Sequence, residues 1–357
     1  MKKDIEMKLS KTRMNRLKVM PDLVSDYIMS IQEKMTLRTQ IAYIKDYTMF
    51  LEYLISLPVF KDYKKIEEFK VSDMETLEEK DIWQFLDYLT EYNKTFKGKN
   101  GDEYTQTFTN TKQGKARKLA SLHSLFNYLA RKYKIKDPTK FIEVKVNKKR
   151  EIKDSLNKEE INKLIHVIID DVNIENERKK KFHQRIKFRD LNMLLILAFT
   201  GMRVTELIQL DISDVNIQEE ALVVTRKGGD EDKLYLSNEI IGHLIDYIDR
   251  RKSIIALDNN NKDALFLSNQ RKRINAKTVS YMLDKYAKRA EIPIKVTAHV
   301  LRRSFAMELL DKTGNIELVG SILGHNSIEV TKRFYAKSTE EAKRNSLKGF
   351  QYWQLDN

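Results

Sequence analysis

Interruptions of regular backbone structure are rare in this sequence, which has only four prolines and eleven glycines in 357 residues. Proline breaks helices and glycine weakens them, so their scarcity favours a mostly helical fold. The apolar pattern agrees, because Ile44, Tyr47, Leu51 and Leu54 recur with the period of one helix face.

The N-terminal part of the chain is predicted to be a bundle of four or five helices within residues 21–134. Thr76 and Glu79 match a capping box at the start of one helix. Residues 98–104, GKNGDEY, are expected to form a polar turn before the last helix of the bundle.

Two domains suit the length, since one domain takes about 100–200 residues. The charged stretch 144–156 is interpreted as a linker, and Asn157 with Glu160 as the next helix start. The predicted domains are 1–147 and 148–357.

The formal net charge of +14 favours a polyanionic partner such as nucleic acid, because phosphates bind lysine and arginine through counterion release. Three basic stretches are candidates for this contact, and for the first of them a solvated helix end is the alternative. Their residues are Lys112, Lys115, Arg117 and Lys118, then Lys148 and Lys149, then Arg271, Lys272 and Arg273.

The sequence has no cysteine, which removes disulfides, thiolate metal sites and thiol nucleophiles and fits a reducing cytosol. Its first residues lack the apolar core of a secretory signal. The longest apolar run, 193–199, is shorter than the about 20 residues that span a bilayer. A cytoplasmic location is therefore expected.

An arginine follows a tight turn in the stretch 189–210, RDLNMLLILAFTGMRVTELIQL. The apolar helix is predicted to end at Thr200–Gly201, and Arg203 to begin a second helix with Glu206 one turn on. This pair is interpreted either as a structural salt bridge or as part of an anion site.

Two strands are predicted next, at 221–225 and 233–237, joined by a glycine-containing hairpin turn. Lys227 lies at the mouth of that turn, with Arg226 and Lys233 as neighbours.

The stretch 297–335 gathers the remaining candidates. His299 and Arg302 lie three residues apart on one face of a predicted helix, so an imidazole and a cation project together, as in an anion-binding site. Gly324 is a predicted helix stop that presents His325, and Tyr335 follows ten residues later in a basic context.

The order Arg203, Lys227, His299-x-x-Arg302, Leu323-Gly324-His325 and Tyr335 resembles the signature of the tyrosine recombinases, the phage-integrase and Xer family. The likeness is strong over about 155–340 and loose over 20–150. It implies a mainly α fold with a small antiparallel β-sheet. It also implies an N-terminal helical bundle (a SAM-like core-binding domain) and a C-terminal mixed α/β catalytic domain.

The resemblance also implies roles for these residues in a reaction through a covalent 3′-phosphotyrosine. Tyr335 is then the nucleophile, Arg203 and Arg302 bind the scissile phosphate, and Glu206 supports Arg203. His299 is the acid/base partner, His325 a further donor and Lys227 the proton source for the leaving 5′ oxygen. No metal or other cofactor is expected.

Some residues depart from the common pattern of the family. Arg303 stands where many members have a second histidine, and Lys337 replaces another histidine. Tyr335 is one residue further along than in typical Xer proteins. Tyr281, Tyr286 and Tyr352 fit the nucleophile less well, because none follows Leu323-Gly324-His325 at a suitable interval.

The predicted function is site-specific recombination of double-stranded DNA, for integration and excision of a mobile element or for resolution of chromosome dimers. The predicted assembly is a homotetramer on two DNA sites, with exchange of a C-terminal segment that holds Phe350 and Trp353. An accessory DNA-bending or division protein and a nucleoid-associated location are also expected. The alternatives are a catalytically inactive DNA-binding regulator and a monomeric type IB topoisomerase.

Overall fold

The computed structural model describes residues 2–98, 100–145, 155–171, 174, 176–226, 229–256 and 258–324. Its contacts divide the chain into two compact units, Met1–Glu151 and Ile152–Asn357. In the described ranges, no helix is both long and apolar enough to cross a membrane.

The first unit contains helices α1 to α6 and a β-hairpin of strands β1 and β2. They are α1 (Lys2–Leu17), α2 (Asp22–Ser30), α3 (Leu37–Ile55), α4 (Val71–Glu75), α5 (Glu79–Tyr88), β1 (Glu91–Lys97), β2 (Glu103–Thr109) and α6 (Lys112–Tyr133). Edge-to-face rings hold α3 to its neighbours, with Phe50 at 5.0 Å from Phe85 and 6.2 Å from Phe126 between ring centres. The unit is therefore a helical bundle with an aromatic core.

The capping box predicted at Thr76 is wrong in register. Helix α5 begins after Glu78, whose backbone N–H donates to the Asp81 carboxylate at 2.8 Å. Thr76 instead ends α4, and its hydroxyl donates to the carbonyl of Asp73. Two overlapping patterns competed here, and the helix uses the one two residues later.

The polar stretch 98–104 does not simply join two helices, because it includes the tip of the β1–β2 hairpin. The strands pair antiparallel over their whole length, from Glu91 with Thr109 to Lys97 with Glu103. Alternate residues form an aromatic face, in which Tyr92 stacks on Phe108 and Phe96 on Tyr104.

The second unit contains helices α7 to α13 and a three-stranded antiparallel sheet in the order β3–β4–β5. They are α7 (Lys158–Ile169), α8 (Glu177–Thr200), α9 (Val204–Leu207), β3 (Val215–Asn216), β4 (Ala221–Thr225), β5 (Glu231–Tyr235), α10 (Asn238–Lys252), α11 (Ala276–Arg289), α12 (Ala298–Thr313) and α13 (Ile316–Leu323). Helix α8 supplies much of the core through Met193, Ile196 and Leu197, which are fully buried.

Several predicted boundaries of this unit are confirmed. Helix α7 follows a capping box in which Asn157 and Glu160 bond each other's backbone N–H groups. Strand β4 has the predicted bounds, whereas β5 lies two residues earlier than predicted because it pairs residue for residue with β4, Thr225 opposite Glu231. The first half of α8 is strongly basic, and its second half is the apolar run that ends at Thr200.

Candidate active site

The turn between α8 and α9 fixes Arg203. Gly201 ends α8 in the left-handed conformation, with φ of 62°, and Arg203 is the N-cap of α9. The backbone N–H of Arg203 donates to one oxygen of Glu206 and its Nη1 to the other, both at 2.8 Å. Since the Glu206 side chain is only 5% exposed, this carboxylate is a buried support for the arginine.

Arg302 lies on α12 and reaches two other segments. Its Nη1 donates to the carbonyl of Gly201 at 2.7 Å and its Nη2 to the carbonyl of Leu323 at 2.6 Å. The residue is 7% exposed. The guanidinium thus joins the α8–α9 turn to the end of α13.

The last turn of α13 is the point where the arginines meet. Three consecutive carbonyls each accept a guanidinium Nη2: Ile322 from Arg226 at 2.8 Å, Leu323 from Arg302 at 2.6 Å and Gly324 from Arg203 at 2.9 Å. These carbonyls are the unsatisfied, partly negative end of a helix, which suits cations. Arg203 and Arg302, 99 positions apart in the sequence, are therefore brought together.

His299 lies in the first turn of α12, three residues before Arg302, and its side chain is exposed. The helix begins at Thr297, whose hydroxyl accepts the backbone N–H of Val300 at 3.2 Å. Leu301 is fully buried and anchors the same turn in the core. The predicted helix that carries His299 and Arg302 is confirmed.

Arg226, interpreted from the sequence only as a neighbour of Lys227, also joins this cluster. It follows β4 directly, its side chain is 9% exposed, and Nη1 donates to Glu206 at 3.2 Å. Its place beside Lys227 was visible in the sequence, but its bonds were not. Lys227, His325 and Tyr335 lie outside the described residues, as do Lys148 and Lys149.

Of the four basic residues proposed for DNA contact at the start of α6, three are at least partly exposed and one is buried. Lys112 is exposed, and the half-exposed Arg117 forms a bidentate ion pair with Asp46 at 2.5 Å for both bonds. Lys115 donates to the hydroxyl of Thr90. Lys118 is buried and donates to Asn110 at 2.6 Å, and burial lowers the pKa of its ammonium. The expectation of an exposed Lys118 is corrected for this reason.

In the basic loop 271–273, two residues are exposed and the third is directed into the fold. Arg271 and Lys272 are exposed. Arg273 turns inward, where Nη1 donates to the carbonyls of Leu210 at 2.8 Å and Gln209 at 3.1 Å, and Nη2 pairs with Asp211. Arg273 therefore secures the chain after α9. Because its guanidinium is engaged inside the fold, the predicted contact of Arg273 with DNA is corrected.

Substitution of Gly201 tests whether the turn before Arg203 tolerates a side chain. A Cβ there would lie 2.6 Å from Cδ1 of Phe305 and 2.8 Å from Cδ2 of Leu323, in a left-handed conformation. We expect Gly201→Ala to reduce the free energy of unfolding by about 2–4 kcal/mol, from backbone strain and overpacking. The urea dependence of far-UV circular dichroism measures this change.

Gly242 is the matched control for that substitution. It lies inside α10, and a Cβ there meets nothing within 4 Å. Gly242→Ala is expected to stabilise the protein by about 0.5–1 kcal/mol, since alanine favours helix. Equal effects of the two substitutions would show that the turn at Gly201 tolerates a side chain.

Known proteins resemble this chain in sequence over most of its length. The profile of the phage integrase family matches residues 154–342. The chain is 31% identical over 349 residues to the tyrosine recombinase XerS of Streptococcus agalactiae serotype III (strain NEM316), covering 92% of this chain and 95% of that protein. XerS of Streptococcus uberis (strain ATCC BAA-854 / 0140J) is 30% identical over 351 residues, with the same coverage.

Solved structures share the fold. The Tn1549 transposon integrase in complex with circular intermediate DNA matches with a TM-score of 0.64 at 17% identity, over 92% of this chain and 99% of that one. The XerH site-specific recombinase bound to a palindromic difH substrate matches with a TM-score of 0.61 at 19% identity, over 87% and 79%.

The chain belongs to the phage integrase family, the tyrosine recombinases, and its function is site-specific recombination of DNA. The predicted fold class, mainly α with small antiparallel sheets, is confirmed.

Proposed function

We propose that this recombinase cleaves and rejoins its DNA site through a covalent 3′-phosphotyrosine at Tyr335. The observation that carries the proposal is the convergence of Arg203 and Arg302 on the carbonyls of Gly324 and Leu323. Paired guanidinium groups bind the oxygens of a phosphodiester and stabilise the charge that grows in the transition state. The two arginine side chains that the proposal needs are therefore held in one place.

The proposed reaction has a donor or acceptor for each proton and needs no external energy source. The Tyr335 hydroxyl attacks phosphorus while His299 accepts its proton, and the 5′ oxygen leaves with a proton from Lys227. His325 adds a donor to a non-bridging oxygen. The reverse attack by a 5′ hydroxyl restores the diester, since the phosphotyrosine retains the bond energy.

The charges at this site favour an anion. The bonded set contains three guanidinium groups, of Arg203, Arg226 and Arg302, against two carboxylates, of Glu206 and Asp232. The difference is one positive charge, which matches the single negative charge of a phosphodiester. In the described ranges, no group of three or more histidine or carboxylate side chains is arranged to hold a metal ion.

The proposed DNA interface includes the exposed cations of both units. These are the exposed Lys112, Arg117, Arg271 and Lys272 and the partly exposed Lys115. Lys148 and Lys149 of the linker 144–156, which spans the boundary of the proposed domains 1–147 and 148–357, are added to them. We further propose a homotetramer on two paired sites that exchanges its C-terminal segment, acts on nucleoid DNA and responds to an accessory protein. The end-to-end similarity to the XerS recombinases favours resolution of chromosome dimers over integration.

The full-length protein and sheared genomic DNA of its source organism provide the test. Protein-linked fragments that survive denaturation are captured and sequenced, and the recovered site is rebuilt as a nicked duplex that traps the adduct. We expect one chromosomal site and a free 5′ hydroxyl at the break. Recovery at the ends of a mobile element would assign the integration role, and absence of any adduct would indicate a DNA-binding regulator.

Chelation provides a separate prediction. Because the proposed reaction uses only side chains, an excess of EDTA over the divalent ions in the buffer is expected to leave the cleavage rate of the nicked duplex within about twofold. Single-turnover cleavage with and without EDTA measures it. Loss of cleavage that returns with added Mg²⁺ would contradict the metal-free reaction.

A further inference from the structure

Arg226 makes a set of bonds unlike those of the other cations on its hairpin. Its Nε donates to Asp232 at 2.9 Å, its Nη1 to Glu206 at 3.2 Å and its Nη2 to the carbonyl of Ile322 at 2.8 Å. Lys233 on β5, by contrast, is 48% exposed and pairs with the exposed Glu219. Arg226 is therefore built into the protein and presents little surface to a ligand.

These bonds connect three segments that meet at the active site. Glu206 belongs to α9, Asp232 to β5 and Ile322 to the last turn of α13. Glu206 and Ile322 lie 20 and 96 positions from Arg226 in the sequence. One guanidinium thus fixes the sheet, the α9 start and the α13 end relative to one another.

Arg226 acts on Arg203 by two routes. The first is Glu206, which accepts Arg203 with one oxygen and Arg226 with the other. The second is Gly324, whose carbonyl accepts Arg203 and whose Cα faces Arg226 so closely that a Cβ would lie 2.9 Å from Nε. Of the two partners of Arg203, Glu206 is therefore bonded to Arg226 and Gly324 lies directly against it.

We propose that Arg226 is a positioning residue for cleavage, which sets the direction in which Arg203 presents its guanidinium to the scissile phosphate. This inference rests on the proposed role of Arg203. Lysine cannot replace Arg226, because a single ammonium does not reach three acceptors in the fixed fork that a guanidinium supplies.

Single-turnover cleavage of the nicked duplex tests the proposal with Arg226→Lys and Asp232→Asn. We expect Arg226→Lys to slow cleavage by about 10²-fold, as loss of an oriented donor does, with the Kd for the site within about threefold. Asp232 is 42% exposed, so Asp232→Asn leaves the protein folded, and a loss of about tenfold is expected when one of three partners weakens. Lys233→Gln is the control and should match the wild type.

A second substrate separates positioning from general damage. A methylphosphonate at the cleaved position replaces one non-bridging oxygen with methyl and removes the charge that Arg203 stabilises. The ratio of wild-type to variant rates should then fall from about 10² to under about 10, because Arg203 stabilises less charge in the transition state of this substrate.

Three results are decisive. Cleavage of the ordinary duplex by Arg226→Lys or Asp232→Asn at wild-type rates would overturn the inference. An equal loss on both substrates would reduce Arg226 to a stabilising residue and would overturn it too. Absence of an adduct from the wild-type protein would instead count against the proposed function, so the two failures are distinguishable.

Discussion

Tyr335→Phe is expected to abolish covalent attachment to DNA while the Kd for the recombination site stays within about threefold. Removal of the hydroxyl deletes the attacking oxygen, and loss of a nucleophile lowers turnover by about 10⁴-fold or more. The substitution keeps the aromatic ring, so the protein should fold normally. A nicked duplex run on a denaturing gel detects the adduct, and a mobility-shift titration measures binding.

Tyr281 provides a matched control for that experiment. It lies on α11 with 63% of its surface exposed, so Tyr281→Phe should leave both binding and adduct formation unchanged. If the adduct persists in Tyr335→Phe, the nucleophile is another residue, and Tyr352→Phe tests the remaining tyrosine near the end of the chain.

Arg302→Lys is expected to show the second largest effect, a loss of cleavage of about 10²–10³-fold, or roughly 3–4 kcal/mol of transition-state stabilisation. The lysine keeps a charge but cannot donate in parallel to two acceptors. In addition, the carbonyls of Gly201 and Leu323 lose their shared donor, so the melting temperature should fall. Single-turnover cleavage and calorimetry measure the two effects.

Arg251 separates those two effects, because it is also a buried arginine that donates to carbonyls. It is 2% exposed and donates to Ala264 at 2.9 Å and to Lys262 at 2.8 Å. Arg251→Lys should lower the melting temperature to a similar degree and leave the cleavage rate of the folded protein unchanged. A comparable loss of cleavage in both variants would attribute the Arg302 effect to stability alone.

Local chemistry explains which parts of the site could be predicted from the sequence. Gly201, Arg203 and Glu206 lie within five positions of one another, so the glycine that ends α8 and the capping pair of α9 can be recognised in one short stretch of sequence. The same holds for Gly324 as the end of α13. Such features depend on backbone geometry near one position, which sequence patterns report well.

Features that depend on distant partners were missed. Arg226 is recognisable only through its bonds to Glu206 and Ile322, and no pattern near residue 226 announces them. Lys118 and Arg273 were taken as surface cations because composition does not reveal that Asn110 and Asp211 receive them inside the fold. Burial of a charge is a property of tertiary packing.

The β1–β2 hairpin was missed for a different reason. Its aromatic residues, Tyr92, Phe96, Tyr104 and Phe108, lie four positions apart within each strand, a spacing that fits one face of a helix as well as one face of a strand. A helical bundle was expected on both sides, and the polar tip was interpreted as a loop between helices. The spacing alone could not distinguish the two structures, and the helical context favoured the wrong one.

The end of α13 supplies a resident counter-charge for the three guanidinium groups, since the carbonyls of Ile322, Leu323 and Gly324 each accept a hydrogen bond from one of them. These bonds hold the cations together through contacts within the protein itself. If the arginines bind the DNA backbone as proposed, the entropy of arranging them is lost during folding rather than during synapsis.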